Sequence, residues 1–215
     1  MNSVFGPPSL ALSMQRYRRH ASGYDASARR GERWRTAAIE TLALRAGETV
    51  LEPGCGTGLS FPCMADAVGP AGRVIGIESS TEMAAQAYRR ISAHGLTNVS
   101  VIEGAVHQVP VPPWDALLLH YVHDILRDPR SVAAIMAMGR PGARVAVIGM
   151  RLPSPWALPL WPWILMRAWP YMTTFEGLRE PWSHLLPYLD GWTCRTIKYG
   201  TGYFGFGRLK QGLRP

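Results

Sequence analysis

The chain has 215 residues, 47% of them apolar and 18% charged, enough for one domain with its own core and no need of a second. Its formal charge of +8 and isoelectric point near 9.9 suit an anionic partner, either nucleic acid or an acidic membrane surface. Cys55, Cys63 and Cys194 form neither a CxxC pair nor a disulfide framework; that spacing suits a reducing cytosol and offers no metal-binding set.

Much of the positive charge is arginine near the start, at Arg16, Arg18, Arg19, Arg29, Arg30, Arg33 and Arg35, where it reads as a solvated helix face. The first residues lack the apolar core and cleavage site of a signal peptide. Trp156 to Trp169, the most apolar stretch, is too short to span a membrane and is broken by Pro159 and Pro162. A cytoplasmic protein, at most peripheral to a membrane, is therefore expected.

Taken in order, Leu10, Met14 and Tyr17 recur at helical spacing and predict a short amphipathic helix, followed by a linker around Ser22 to Ser27. A second helix is expected from Gly31 to Ala46, then a strand over Thr49 to Glu52 and a helix from Gly58 to Val68. RVIGIESS reads as a second strand closed by Glu78, with a helix over Thr81 to His94 capped by Ser80. Asn98 to Glu103 is a third strand, DALLLHY a fourth, Ser131 to Met138 a helix, and RPGARVAVIGM a turn with a fifth strand. Apolar runs alternating with helical patterns are the signature of a parallel sheet covered on both faces. The end differs: a Trp- and Pro-rich stretch from Pro153 to Thr174, a helix predicted over Glu176 to Leu189, and a hairpin made of GWTCRTIKYG and YFGFGRLK.

The most informative stretch is Val50 to Ser60, VLEPGCGTGLS, an apolar strand that ends in a turn too crowded for side chains. Glycine reaches positive φ cheaply and lets backbone N–H groups approach a ligand. The dinucleotide fingerprint GxGxxG does not fit, because Leu59 occupies the place of its third glycine. With Glu52 in front, EPGCGTG resembles motif I of the class I S-adenosylmethionine-dependent methyltransferases. The resemblance implies that Glu52, Gly54, Cys55, Gly56 and Gly58 surround the methionine part of the cofactor, whose cationic amine and sulfonium suit a nearby carboxylate. Cys55 reads as a small spacer within that turn, with a reactive thiol as the alternative.

In an open parallel sheet, ligands sit at the carboxyl ends of the strands where strand order reverses. Glu78 ends strand two, and a carboxylate there can accept both hydroxyls of a ribose. The resemblance gives it that role and makes Ser79 and Met83 neighbours of the adenine. After strand three the family often has Gly-Asp, whereas this chain has Gly104, Ala105 and Val106. Ala105 cannot accept from the adenine amino group, which leaves backbone, water, apolar contacts or His107 to hold it. The end of strand four, LLHYVHDIL, resembles the small-molecule methyltransferases, with His120 beside the cofactor and Tyr121, His123 and Asp124 toward the acceptor. GRPGARV resembles the Pro-Gly-Gly turn before strand five. RYRRHASGYD resembles the Tyr-Asp element of the ubiquinone- and menaquinone-type and phospholipid N-methyltransferases, in which Tyr24 would close over the cofactor; a core tyrosine is the alternative.

The fold so implied is a doubly wound, Rossmann-like α/β sheet of seven strands, mostly parallel with an antiparallel C-terminal strand. An N-terminal helical cap occupies residues 1–31, the cofactor-binding core 32–150, an apolar lid 151–176, and a final helix and hairpin 177–215. The implied activity is transfer of a methyl group from S-adenosylmethionine, leaving S-adenosylhomocysteine, to an O or N atom of a small lipophilic or aromatic acceptor such as a quinol, a lipid amine or a secondary metabolite. Such a displacement needs alignment and exclusion of water, with a base optional. His123 and His120 are the candidate bases, Tyr121 an orienting group and Asp124 a histidine partner; a helix cap or a packing role is the alternative for both histidines.

Trp156, Trp161, Trp163, Trp169, Met166, Tyr171 and Phe175 are too apolar for a solvated loop. They are expected to cover a hydrophobic acceptor, an acidic membrane surface, a second copy of the chain or simply the core. A nucleic-acid methyltransferase fits the charge but not the strand-four end, which lacks Asn/Asp-Pro-Pro-Tyr/Phe. A non-catalytic cofactor-binding partner is supported only by Ala105.

Overall fold

The computed structural model describes residues 6–20, 23–152, 162, 166, 169 and 172–211. Two helices, α1 (Leu10–His20) and α2 (Tyr24–Ala28), precede α3 (Glu32–Leu42). Then follow β1 (Thr49–Pro53), α4 (Phe61–Val68), β2 (Arg73–Glu78), α5 (Thr81–Ala93), β3 (Val99–Glu103), β4 (Trp114–His120), the short α6 (His123–Leu126), α7 (Pro129–Ala137) and β5 (Gly139–Met150). The chain ends in β6 (Leu189–Ile197) and β7 (Gly202–Leu209). They form one sheet of seven strands in the order β3-β2-β1-β4-β5-β7-β6. β1 to β5 pair in parallel, while β7 runs antiparallel to both β5 and β6.

Period-two alternation sends side chains to two cores. Leu51, Leu117, Leu119, Val145 and Val147 meet Val132, Ile135 and Met136 of α7 on one face. Val50, Ala116, Leu118, Ala146 and Ile148 meet Ala38, Ile39 and Leu42 of α3 and Phe61 and Met64 of α4 on the other. Both faces are covered, so β4 is apolar throughout its centre; Ala116, Leu117, Leu118 and Leu119 are fully buried. β6, at the sheet's edge, has most of its residues exposed.

Four local expectations are corrected. α4 begins at Phe61 rather than Gly58, because Gly54, Gly56 and Gly58 all have positive φ, at 67, 58 and 73°, and keep the backbone out of a right-handed helix. The expected linker around Ser22 to Ser27 contains α2. The helix predicted from Gly31 to Ala46 stops at Leu42, where Ala43 turns left-handed. Over Glu176 to Leu189 there is no α-helix; turns lead into a 3₁₀ segment, Ser183–Tyr188, with Pro187 inside it. Pro181 and Pro187 each remove a backbone donor, so an i→i−4 ladder cannot run through. Trp156, Trp161, Trp163 and Tyr171 of the expected lid lie outside the described residues.

Candidate active site

Strand order reverses between β1 and β4, and a cavity of about 330 Å³ opens at their carboxyl ends. It is lined by Tyr24, Gly54, Gly56, Glu78 and Ser79, by Gly104 to Gln108 after β3, and by His120 to Ile125 after β4. Pro8, Ser9, Leu10 and Ser13 of the cap, with Asp128, Arg130 and Ser131 around the start of α7, complete it.

The glycine turn is fixed by its neighbours. A methyl group at Gly54 would sit 2.6 Å from Val122 Cγ1, and one at Gly58 would sit 2.5 Å from the Phe61 ring. Gly56 donates its N–H to Glu78 Oε2 at 2.8 Å, and Ser80 donates its N–H to Oε1 at 2.8 Å. Burial pushes the Glu78 carboxyl up from its ordinary range, and these backbone donors work against that push. Each carboxylate oxygen keeps lone-pair capacity beyond the backbone bond, as recognition of a diol requires.

Tyr24 lies over the turn, its ring edge 3.8 Å from where a Gly56 side chain would be. It is held there from one residue away. Thr57 Oγ1 donates to Asp25 Oδ1 at 2.6 Å, while Arg90 of α5 donates to Asp25 Oδ2 at 2.5 Å and to the Thr57 carbonyl. The Tyr-Asp pair is thus pinned to the glycine turn by its aspartate, leaving its tyrosine along the cavity.

Behind the turn, Tyr24, Arg35, Glu52 and His120 line a small recess. Glu52 is 3% exposed; Ser60 Oγ donates to its Oε1 at 2.7 Å, and its Oε2 has no partner among the described residues. Burial raises its pKa to about 7, with Ser60 and the buried Arg35 pulling the other way. An unpartnered buried carboxyl oxygen is costly to keep, and a cationic amine would satisfy it.

The β4 side is built differently. His120 Nε2 and both ring nitrogens of His123 lack partners among the described residues. Burial, aided by Arg35 and Lys198, holds the His120 pKa down at about 3, and burial aided by Arg127 holds that of His123 at about 4, opposed by the nearby Glu176 backbone. Both rings are therefore neutral near pH 7 and weakly basic, since the same burial penalises a proton placed on either. Tyr121 has φ 58°, a left-handed backbone that a bulky residue rarely adopts, and Lys198, also left-handed, donates to its hydroxyl from the β6–β7 turn. Burial raises the Tyr121 pKa to about 12, so its hydroxyl stays protonated.

Asp124 does not pair with a histidine, and that expectation is corrected: it accepts Thr173 N–H at 3.1 Å and Thr173 Oγ1–H at 2.7 Å. Thr173 Oγ1 in turn accepts Ser9 N–H at 2.9 Å, and Thr174 Oγ1 donates to the Gly6 carbonyl at 2.7 Å. The loop after β4, the end of the lid and the N-terminal cap are closed on one another by this relay. Burial raises the Asp124 pKa, but the Thr173 donors favour its charged form.

Of the sequence-predicted site residues, Tyr24, Gly54, Gly56, Glu78, Ser79, Gly104, Ala105, Val106, His120, Tyr121 and His123 share the cavity. Glu52 and Cys55 line the recess behind it. Cys55 Sγ packs over Gly76, where a methyl group would be 2.6 Å away, and burial raises its thiol pKa well above normal, so it is an inert spacer. Gly58 packs on Phe61, and the buried Met83 reaches Gly56 with its terminal methyl. Sequence reasoning missed Arg35, Asp25, Thr173 and Lys198. Arg35 left a signal: with Ala38, Ile39 and Leu42 it forms the buried stripe of α3, so an arginine stood in an apolar phase.

Comparison with known proteins agrees with this geometry. Residues 23–121 match the family model for protein-L-isoaspartate(D-aspartate) O-methyltransferase. The chain is 35% identical to demethylmenaquinone methyltransferase of Geobacillus stearothermophilus over 40% of its length and 37% of the relative's. It is 25% identical to 2-phytyl-1,4-naphtoquinone methyltransferase of Thermosynechococcus vestitus over 83% of its length and 80% of the relative's. A SAM-dependent methyltransferase structure from Aquifex aeolicus superimposes with TM-score 0.56 at 20% identity, covering 81% of this chain and 89% of that one. The chain spans less than half the length of the first curated relatives it matches. Fold and glycine turn are similar to those of the class I S-adenosylmethionine-dependent methyltransferases, and the family match takes in both the turn and the end of β4.

Proposed function

We propose that this chain binds S-adenosylmethionine across the β1 and β2 ends and transfers its methyl group to an oxygen or nitrogen of a small, apolar or aromatic acceptor. When bound, the cofactor supplies an electrophilic methyl on a cationic sulfonium. The observation that carries the reading is the meeting, at one strand-order reversal, of a glycine turn whose Gly54 and Gly56 line a cavity, a diol-competent Glu78 and the unpartnered Glu52 oxygen. Glu78 would hold the ribose, Glu52 with its neighbour Arg35 the zwitterionic methionine end, and Tyr24 would close over both.

His120 and His123 suit a neutral acceptor that has a proton to lose. Burial leaves each ring unprotonated but weakly basic, so its part is to accept a hydrogen bond from the acceptor and align it, and an apolar pocket favours uncharged over ionised acceptors. His123 faces the acceptor from the start of α6, while His120 borders both the cavity and the recess. Tyr121, tied to Lys198, would orient the acceptor. The quinone-acting relatives support a quinol or phenol as acceptor class.

Turnover of labelled S-adenosylmethionine against quinols, phenols, lipid amines and small heterocycles tests the reading, with Glu78→Ala as control. Transfer to a quinol or phenol that disappears in the control supports it, whereas undiminished turnover in Glu78→Ala removes the cofactor site from these residues.

A further inference from the structure

Resting on that cofactor reading, a second cluster in the same cavity is left without a role. His107 Nδ1 lies 3.1 Å from Asp128 Oδ2, and Ser131 Oγ donates to the same oxygen at 2.7 Å. Arg130 donates its Nε to Asp128 Oδ1 at 3.0 Å and its backbone N–H at 3.3 Å. Burial pushes the Asp128 carboxyl up, but these donors outweigh it and hold the group below its ordinary pKa, hence ionised. All four residues line the cavity, on the side of the turn that follows β3. Asp128 is only 9% exposed, and as the N-cap of α7 it is anchored to a regular element.

The strand order fixes which part of a nucleoside would come here. Going outward from the reversal point, the sheet reads β1, β2, β3. The methionine end belongs with Glu52 at the end of β1, and a ribose with Glu78 at the end of β2. The base therefore falls on the β3 side, against Gly104 to His107. Its exocyclic amine is a donor and needs an acceptor, which Ala105 cannot be. A carboxylate beside Nδ1 selects the tautomer in which Nδ1 carries the hydrogen, leaving Nε2 as an acceptor on a ring that already lines the cavity. Both polar contacts of the ring, to Asp128 and to Ser131 Oγ at 3.3 Å, are made by Nδ1.

We infer that His107, set in one tautomer by Asp128, reads the amino edge of the cofactor's adenine in place of the aspartate missing at Ala105. His107 is then the specificity-determining residue for the base, and Asp128 its positioning residue. A base bearing a 6-oxo group presents an acceptor to an acceptor and is rejected.

Calorimetric titration with S-adenosylhomocysteine and its 6-oxo counterpart, S-inosylhomocysteine, tests this on the whole chain. The parent is expected to prefer adenine by about tenfold or more, the worth of one hydrogen bond. In His107→Ala the ratio of the two affinities falls close to one through loss of adenine affinity. Asp128→Asn keeps an N-capping side chain and lowers the same ratio, whereas a purely structural role would weaken both nucleosides alike; this variant also serves if His107→Ala does not fold. A ratio near one in the parent, or a preference unchanged in His107→Ala, overturns the inference. So does loss of turnover in His107→Ala at unchanged adenine affinity, which would put the pair on the acceptor. If the parent binds neither nucleoside, the cofactor reading itself falls, and Glu78→Ala tells the cases apart by losing both nucleosides where that reading holds.

Discussion

The two halves of the cavity are built from different materials. On the β1–β2 side, backbone N–H groups, three left-handed glycines and two buried carboxyls lie within one run of 29 residues, Val50 to Glu78, and each is held by short local bonds. On the β4 side the wall is made of residues brought from distant parts of the chain: His120 and His123 with Ser9 of the cap, braced by Thr173 near the end of the lid and by Lys198 from the final hairpin. The first half suits a ligand that never changes. The second can be rebuilt by altering side chains without touching the sheet, which is how one fold serves many acceptors.

The contrast breaks most sharply if the histidines do not align the acceptor. His123→Ala and His120→Ala are compared at saturating cofactor, and loss of the ring that accepts the acceptor's hydrogen bond should cost on the order of a hundredfold in kcat with cofactor affinity unchanged. Equal, small losses in both would make them packing residues. Next in size, Glu78→Ala removes acceptors for two backbone N–H groups and for a diol, and should weaken S-adenosylhomocysteine about a hundredfold by calorimetry while leaving acceptor KM alone.

Glu52 offers a stability test that needs no acceptor. Its folded pKa, about 7, lies above the unfolded value of 4.5. The folded chain therefore holds its proton more tightly; the associated stability is complete below pH 4.5 and is lost as pH rises through 7. Glu52→Gln should be the more stable protein at pH 8, by on the order of 2 kcal/mol, and the gap in Tm should close toward pH 5. A gap that does not move with pH would mean the carboxyl is not buried as described. His120 and His123 act with the opposite sign: their folded pKa values lie below the ordinary 6.5, so their stability is present above it and is lost as pH falls toward 4.

Smaller effects belong to the closing relay and the lid. Asp124→Asn keeps one acceptor for Thr173, so acceptor KM should rise only a fewfold, with cofactor affinity untouched; a change in cofactor affinity instead would tie the relay to the wrong half. Trp169 and Met166 are exposed, and the Arg16 guanidinium lies 5.0 Å from the centre of the Trp169 ring. This combination suits an acidic lipid interface. Weak, salt-sensitive co-sedimentation with anionic but not zwitterionic vesicles, reduced in Trp169→Ala, is the expected outcome, and equal recovery with both lipids would count against it. No helix among the described residues is long and apolar enough to cross a membrane.

How legible each feature was in the sequence follows from its range. The strands show because burial on both faces writes unbroken apolar runs, and the glycine turn shows because glycine fits most cheaply the three left-handed sites at 54, 56 and 58. Glu78 is readable because it closes such a run at a fixed distance from the turn. The helix predicted after Glu176 fails because Pro181 and Pro187 outweigh the apolar spacing of Leu185 and Leu189. Asp124 resembled a histidine partner because His123 is its neighbour in sequence, yet at the start of α6 the two side chains diverge and Asp124 reaches Thr173 instead.

By itself, the sequence determined the alternation of strands and helices, the backbone-built cofactor wall and the charge on it, since these rest on local propensity, period and φ. Only the tertiary structure decided the wall at β4. The sheet must close before Ser9 can meet Thr173, Lys198 meet Tyr121, or His107 meet Asp128, and only burial then lowers the proton affinity of His120 and His123 and leaves Glu52 an unpartnered oxygen. Contacts across long stretches of chain, and the desolvation they bring, have no signature in any short window of residues.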